Sequence, residues 1–317
     1  MAMTRVMRVR FWQRGLLRGA PPARERSSPA LGIALGGGGA RGLAHIGVLK
    51  VVEEVGLDVR VVTGTSMGGV IAIAWAAGVS ASEIEAVARR VRVLSLLGRD
   101  RTGLGVVGTD KVAALVAKVV GKRNLEDLPR RCAVVAADVA AGEPVVIDRG
   151  PVERAVQATI AIPGLFSPVR EGERLLVDGG IVEPVPVATA LALGAQKVIA
   201  VDVTPDRSCP LLAAPGTGLV PKPLASSLVL LRLLGRQGLV DVVVKAFDIQ
   251  AAELARAHLE RTKPEVLIRP ALSGLRPDQF DEATATIAAG EAAARAAAPE
   301  LARLCRRRMA PTPSAER

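Results

Sequence analysis

The feature that most limits the fold is an alternation of short β-branched runs with alanine-rich stretches of helical periodicity. Residues 31–35, 59–63, 132–138, 144–147, 175–178, 197–203 and 265–269 read as strands. Between and after them, residues 41–55, 67–77, 82–91, 110–120, 187–193, 227–260 and 278–306 read as helices. Strands separated by helices are joined by crossovers rather than tight hairpins. The order therefore predicts a three-layer α/β/α domain with a largely parallel central sheet. No repeat of fixed spacing runs along the chain, which argues against a solenoid.

The 317 residues are 50% hydrophobic, ample for a folded core of one large domain or two small ones. The formal charge of +11 is unevenly spread. Residues 1–29 hold seven arginines and one acid, and residues 301–317 hold five arginines and one acid, so the body between is nearly neutral. We expect a basic flexible leader at 1–29, a folded domain at 30–305 and a basic flexible tail at 306–317. The leader lacks the apolar stretch of a secretory signal. The apolar run from Met67 to Val79 is too short to cross a bilayer. Pro205–Pro223 is rich in proline and glycine and reads equally as a lid or as a plain irregular loop.

Composition excludes several function classes. Aromatic residues are 2% of the chain and tyrosine is absent, so stacking platforms for nucleic acid are missing and nucleic acid is not an expected partner. The arginine tails point instead to peripheral contact with an anionic membrane. Cys132, Cys209 and Cys305 are odd in number and far apart, which favours a reducing compartment over a disulfide framework. A cytoplasmic location, with contact at the inner membrane surface, is the expectation. Two histidines rule out a multi-histidine metal site, and neither metal nor cofactor is expected. Nothing in the residues sets an oligomeric state.

Three segments carry chemistry. The first strand runs into Gly36-Gly37-Gly38-Gly39-Ala40-Arg41-Gly42 and then a helix. Consecutive glycines let the backbone aim several N–H groups at one point, suited to a phosphate or an oxyanion. A Walker loop fails because Leu43 and Ala44 stand where Lys and Ser/Thr belong. Gly37, Gly39 and Gly42 do satisfy the dinucleotide pattern, and Asp58 before the second strand keeps that rival open. The second strand continues instead into Gly64-Thr65-Ser66-Met67-Gly68, a G-x-S-x-G pentapeptide at a strand-to-helix junction, where a nucleophile elbow belongs.

A serine nucleophile needs a base. His45 lies on a helix that is apolar nearly all round and reads as a packed residue; His258, beside Glu260 and Arg261, reads as part of a solvated face. A partly buried carboxylate can serve instead. Leu175-Leu176-Val177-Asp178-Gly179-Gly180 puts one at the carboxyl end of a strand. Asp138 and Asp202 also end strands but read as capping or ion-pairing groups, and Glu183 as part of a turn.

The glycine loop, the serine pentapeptide and Asp178-Gly179-Gly180, in this order, resemble the three motifs of the patatin-like phospholipases. Residues 43–50 and 161–168 are similar to the bacterial branch related to neuropathy target esterase, and the resemblance spans about residues 31 to 269. It implies a Ser–Asp dyad acyl hydrolase. Ser66 would be the nucleophile, Asp178 the base, and the Gly37, Gly38 and Gly39 amides the oxyanion hole. Arg41, Gly42, Gly64, Gly68, Gly179 and Gly180 would support the motifs. Many plant members begin the loop with Asp where this chain has Gly36, so nothing resting on that acid carries over. The implied substrate is the carboxylic ester of a phospholipid or lysophospholipid. The alternative is a membrane-surface or regulatory module with a vestigial esterase site.

Overall fold

A computed structural model describes residues 30–91, 107–205 and 237–306, together with 96, 98, 99, 104 and 105. In chain order the elements are β1 (Leu31–Leu35), α1 (Ala44–Glu54), β2 (Val59–Thr65), α2 (Met67–Ala76), α3 (Ala81–Arg90), β3 (Gly98–Arg99), β4 (Val107–Gly108) and α4 (Asp110–Val120). They continue as β5 (Arg131–Asp138), β6 (Glu143–Ile147), α5 (Val152–Thr159), β7 (Val169–Glu171), β8 (Arg174–Asp178), α6 (Val187–Ala192) and β9 (Lys197–Val201). The last are α7 (Gln237–Thr262), β10 (Val266–Ile268), α8 (Ala283–Ala296) and α9 (Ala298–Arg306). The expected leader at 1–29, most of the tail and most of the Pro205–Pro223 loop lie outside the described residues.

The central sheet has the order β10-β9-β1-β2-β5-β8-β7, with β6 paired to β5. Its strands alternate between two cores, as side chains on a pleated strand must. Ile33, Leu35, Val62, Val134, Ile199 and Val201 face the larger one, with α1, α2 and α8. Ala34, Val61, Ala133, Val198 and Ala200 face the smaller one, with α6 and α7. Burial on both faces explains why these strands read as continuous apolar runs, and the three-layer α/β/α expectation holds.

The sheet is parallel from β10 through β5. Beyond β5 it turns antiparallel, because β6, β8 and β7 pair that way. Sequence reading missed the short strand β7. The expected helix at 41–55 begins as a 3-10 turn, Gly39–Leu43, and the one at 278–306 is divided between the 3-10 turn Phe280–Glu282, α8 and α9. Pro299 stands in the first turn of α9, where its missing N–H costs nothing.

Two features of this topology position a site. The chain winds away from β1 in both directions, to β2 on one side and β9 on the other, so the carboxyl end of β1 is a topological switch point, the place where open α/β sheets bind ligands. The glycine loop stands there. On the far side of β2, strand β6 covers one edge of β5 from Val134 to Asp138, so β2 and β8 must share the other edge. Val135 pairs with Thr65 of β2 and the next residue, Ala136, pairs with Asp178 of β8. The two strands meet end to end, carboxyl terminus against carboxyl terminus.

Candidate active site

That register brings Ser66, the residue after Thr65, against Asp178. Ser66 sits at the turn between β2 and α2 with φ 54° and ψ −126°, the left-handed backbone that L side chains rarely adopt. The turn closes only because Gly64 and Gly68 lack side chains: a Cβ on Gly64 would strike the Gly68 backbone, and one on Gly68 the carbonyl of Leu35. The Ser66 N–H donates to Thr159 Oγ1 (2.9 Å), whose hydroxyl donates on to the Val135 carbonyl (2.7 Å). Two residues along, the Ala161 carbonyl accepts the Asp178 N–H at 2.9 Å. The end of α5 therefore fastens both residues, a role sequence reasoning missed because a lone threonine carries no motif.

Asp178 is fully buried. Burial pushes its carboxyl up to about 7, against the opposing pull of the adjacent Ser66 hydroxyl and of the Gly180 N–H. The Gly180 amide donates to Oδ1 at 2.8 Å, while among the described residues Oδ2 has no hydrogen bond of regular geometry. A carboxylate with one oxygen held and the other unpartnered beside a serine hydroxyl is equipped to accept a proton.

The glycine loop lies against the elbow: a Cβ on Gly37 would come within 3.3 Å of Ser66 Cβ. Its amides are not equivalent. The Gly37 N–H donates to the Pro184 carbonyl (2.9 Å), and the Ala40 N–H to the Pro277 carbonyl (2.8 Å). The Gly38 and Gly39 N–H groups between them have no hydrogen-bond partner among the described residues. Of the expected set of Gly37, Gly38 and Gly39, Gly37 uses its donor to hold the loop.

A strap of carbonyls that follows Asp178-Gly179-Gly180 joins these pieces. Glu183 O accepts from Thr65 Oγ1 (2.8 Å), Pro184 O from Gly37, and Pro186 O from Thr63 Oγ1 (2.9 Å). The Glu183 carboxylate accepts from the Thr189 amide and hydroxyl, anchoring the strap to α6, and burial raises its pKa. Glu183 is thus more than a turn residue. A Cβ on Gly42 would come within 2.7 Å of Met67 Cγ, and one on Gly179 within 2.5 Å of the Val135 carbonyl, so both positions are close-packed.

Arg41, on the loop, is buried and donates two hydrogen bonds to Asp248 of α7. The same helix sets Phe247 over Gly180 and Gln250 on the Ile181 carbonyl (3.0 Å), so its middle lies beside the site. The other acids behave as the sequence suggested. Asp138 accepts from the Ala140 amide and stands 4.0 Å from Arg174; Asp202 accepts from Thr204 and Arg269. His258 is half-buried rather than fully solvated, and burial lowers its pKa. Among the described residues no cluster of His, Cys, Asp and Glu could hold a metal ion, and no helix is long and apolar enough to cross a membrane.

Fold and site together define an open α/β sandwich with a serine elbow and a buried acid at the carboxyl edge of its sheet. Residues 33–191 match the family model of the patatin-like phospholipases, and the chain belongs to that family. It is 38% identical over 190 residues to one NTE family protein of Mycobacterium tuberculosis, covering 59% of this chain and 52% of that one. A second NTE family protein of that organism is 34% identical over 286 residues, covering 87% and 47%. A lysophospholipase, nte1, of Aspergillus fumigatus is 30% identical over 199 residues, 57% of this chain and 12% of its own. The chain thus spans about half the length of the mycobacterial relatives it matches. The crystal structure of VipD from Legionella pneumophila shares the fold, with a TM-score of 0.53 at 12% identity over 86% of this chain and 67% of that one.

Proposed function

We propose that the protein is a serine acyl hydrolase that cleaves carboxylic esters of phospholipids or lysophospholipids through a Ser66–Asp178 dyad. The observation that carries this reading is the end-to-end meeting of β2 and β8, which sets the Ser66 hydroxyl beside a buried carboxyl with an unpartnered oxygen. Asp178 accepts the hydroxyl proton as Ser66 Oγ attacks the ester carbonyl. The Gly38 and Gly39 amides receive the oxyanion, at a position where each such donor is worth roughly 3–4 kcal/mol. The alcohol leaves with a proton from Asp178, and water, activated by the same carboxylate, releases the acid from Ser66. The acyl-lipid substrate class rests on family membership and on the activity named for the Aspergillus relative.

Peripheral contact with an anionic membrane belongs to the same reading, in a cytoplasmic setting. The part of α7 nearest the site exposes Val242, Val243 and Ile249, an apolar ridge suited to a lipid surface. Sedimentation with anionic vesicles tests this, with Val242→Ser/Ile249→Ser expected to weaken binding.

Fluorophosphonate labelling tests the dyad. Wild type is labelled; Ser66→Ala is not; Asp178→Asn is labelled far more slowly. Labelling that survives Ser66→Ala overturns the nucleophile assignment, and unchanged labelling of Asp178→Asn overturns the base.

A further inference from the structure

His45 is one of two histidines in the chain, is completely buried, and takes no part in the proton transfers proposed above. Its Nε2 stands 2.7 Å from the carbonyl oxygen of Gly36. A carbonyl can only accept, so Nε2 carries the proton and the ring is the Nε2–H tautomer. Nδ1 has no partner. Burial carries the imidazole down to about 4, despite the Gly36 hydrogen bond and the nearby charge of Asp202, so the ring is neutral at ordinary pH. Its bond is made to the glycine loop rather than to Ser66 or Asp178, which removes it from the role of base.

The Gly36 carbonyl and the Gly37 N–H belong to one peptide plane. In a trans peptide they point in opposite directions, so fastening both ends leaves the plane no freedom to rotate. His45 holds one end and the Pro184 carbonyl the other. Immediately after this plane come the unpartnered Gly38 and Gly39 amides, and immediately after those the Ala40 N–H fixed on Pro277. A four-glycine run would otherwise be the most pliable segment of the site. We infer that His45 is a positioning residue for the oxyanion loop, locking the 36–37 peptide so that the Gly38 and Gly39 N–H groups stay aimed at the reacting carbonyl. The inference rests on the acyl-hydrolase reading and names a further residue that the reading needs.

Two variants of the full chain separate positioning from packing. His45→Phe keeps a ring of similar bulk and removes the donor, while His45→Gln keeps an N–H at the place of Nε2. With p-nitrophenyl butyrate, His45→Phe is expected to lose tenfold or more in kcat with KM within twofold. His45→Gln should recover most of that loss. Inhibition by an aliphatic trifluoromethyl ketone, whose serine hemiketal carries an oxyanion at the same place, should weaken in step with kcat. Wild-type kcat and ketone affinity in His45→Phe would overturn the inference. So would equal losses in both variants at equal thermal stability.

A measurement independent of turnover uses the wild-type protein. With only two imidazoles in the chain, nitrogen-15 spectra assigned with a His258→Gln variant should show His45 as the neutral Nε2–H tautomer from pH 8 down to about 5. An Nδ1–H tautomer there would overturn the hydrogen bond. Failure of the hydrolase reading itself looks different: fluorophosphonate labelling would survive Ser66→Ala, whatever the state of His45.

Discussion

Arg41 in the glycine loop and Asp248 on α7 form a buried ion pair with two hydrogen bonds, of 2.6 and 3.2 Å, across 207 positions of sequence. Only 1% of the Arg41 side chain and 11% of the Asp248 side chain are exposed, so neither charge can fall back on water. Removing one partner strands the other, at a cost of about 3–5 kcal/mol, whereas replacing both by apolar groups is far milder. Asp248→Ala should therefore melt well below wild type, and Arg41→Met/Asp248→Leu closer to it. Thermal denaturation checks this, and equal melting of Asp248→Ala and wild type would contradict the buried pair.

Asp178 links activity and stability to pH in opposite directions. In the proposed dyad Asp178 acts as the ionised carboxylate, so kcat/KM should rise with pH through a midpoint near 7. The folded state, however, binds this proton more tightly than the unfolded chain, where aspartate titrates near 4. The Asp178 contribution to stability therefore falls as pH rises from about 4 to 7 and stays at its lowest above. Asp178→Asn, without the buried charge, should be inactive yet more stable than wild type at pH 8, by up to about 4 kcal/mol. That gain should vanish near pH 4, as urea titrations at the two pH values would show.

Thr159 can be tested without touching the proposed dyad. Thr159→Val removes the acceptor of the Ser66 N–H and leaves a buried donor unsatisfied, which costs about 1–3 kcal/mol. Fluorophosphonate inactivation should slow with it, and Thr159→Ser should restore both rate and stability. A valine variant as reactive as wild type would show that the elbow holds Ser66 unaided.

Gly38 is the sharper probe of the proposed oxyanion site. A Cβ there would come within 3.0 Å of Val203 Cγ2 and 3.1 Å of the Val203 carbonyl, forcing the loop to shift by a few tenths of an ångström. Gly38→Ala should lower kcat about 10²- to 10³-fold with only a small change in melting temperature. Steady-state kinetics on a short ester, beside a melting curve, separates the two effects.

Much of this protein was legible in its sequence, for reasons of local chemistry. Strand positions buried on both faces must be apolar, so Leu31–Leu35 and residues 198–201 announce themselves. A backbone at φ 54° closing between Gly64 and Gly68 needs small flanking residues, so the serine elbow leaves a short-range signature. Other features depend on which distant segments come together, and no local pattern encodes that. The antiparallel turn of the sheet at β8 decides that Asp178 faces Ser66 end to end, yet Leu175–Asp178 reads the same in either direction of pairing. Whether Gly37 is a free donor or a held one depends on a proline carbonyl 147 positions away, at Pro184. His45 looked like core because a buried imidazole and a buried aliphatic side chain fit the same helical periodicity; only the tertiary structure brings its Nε2 to Gly36. The layers, the elbow and the candidate acid are readable along the chain, because these follow from local backbone geometry and burial. The tertiary structure alone decided which amides stay free and what holds them, because a hydrogen bond is satisfied by position in space and not by position in the chain.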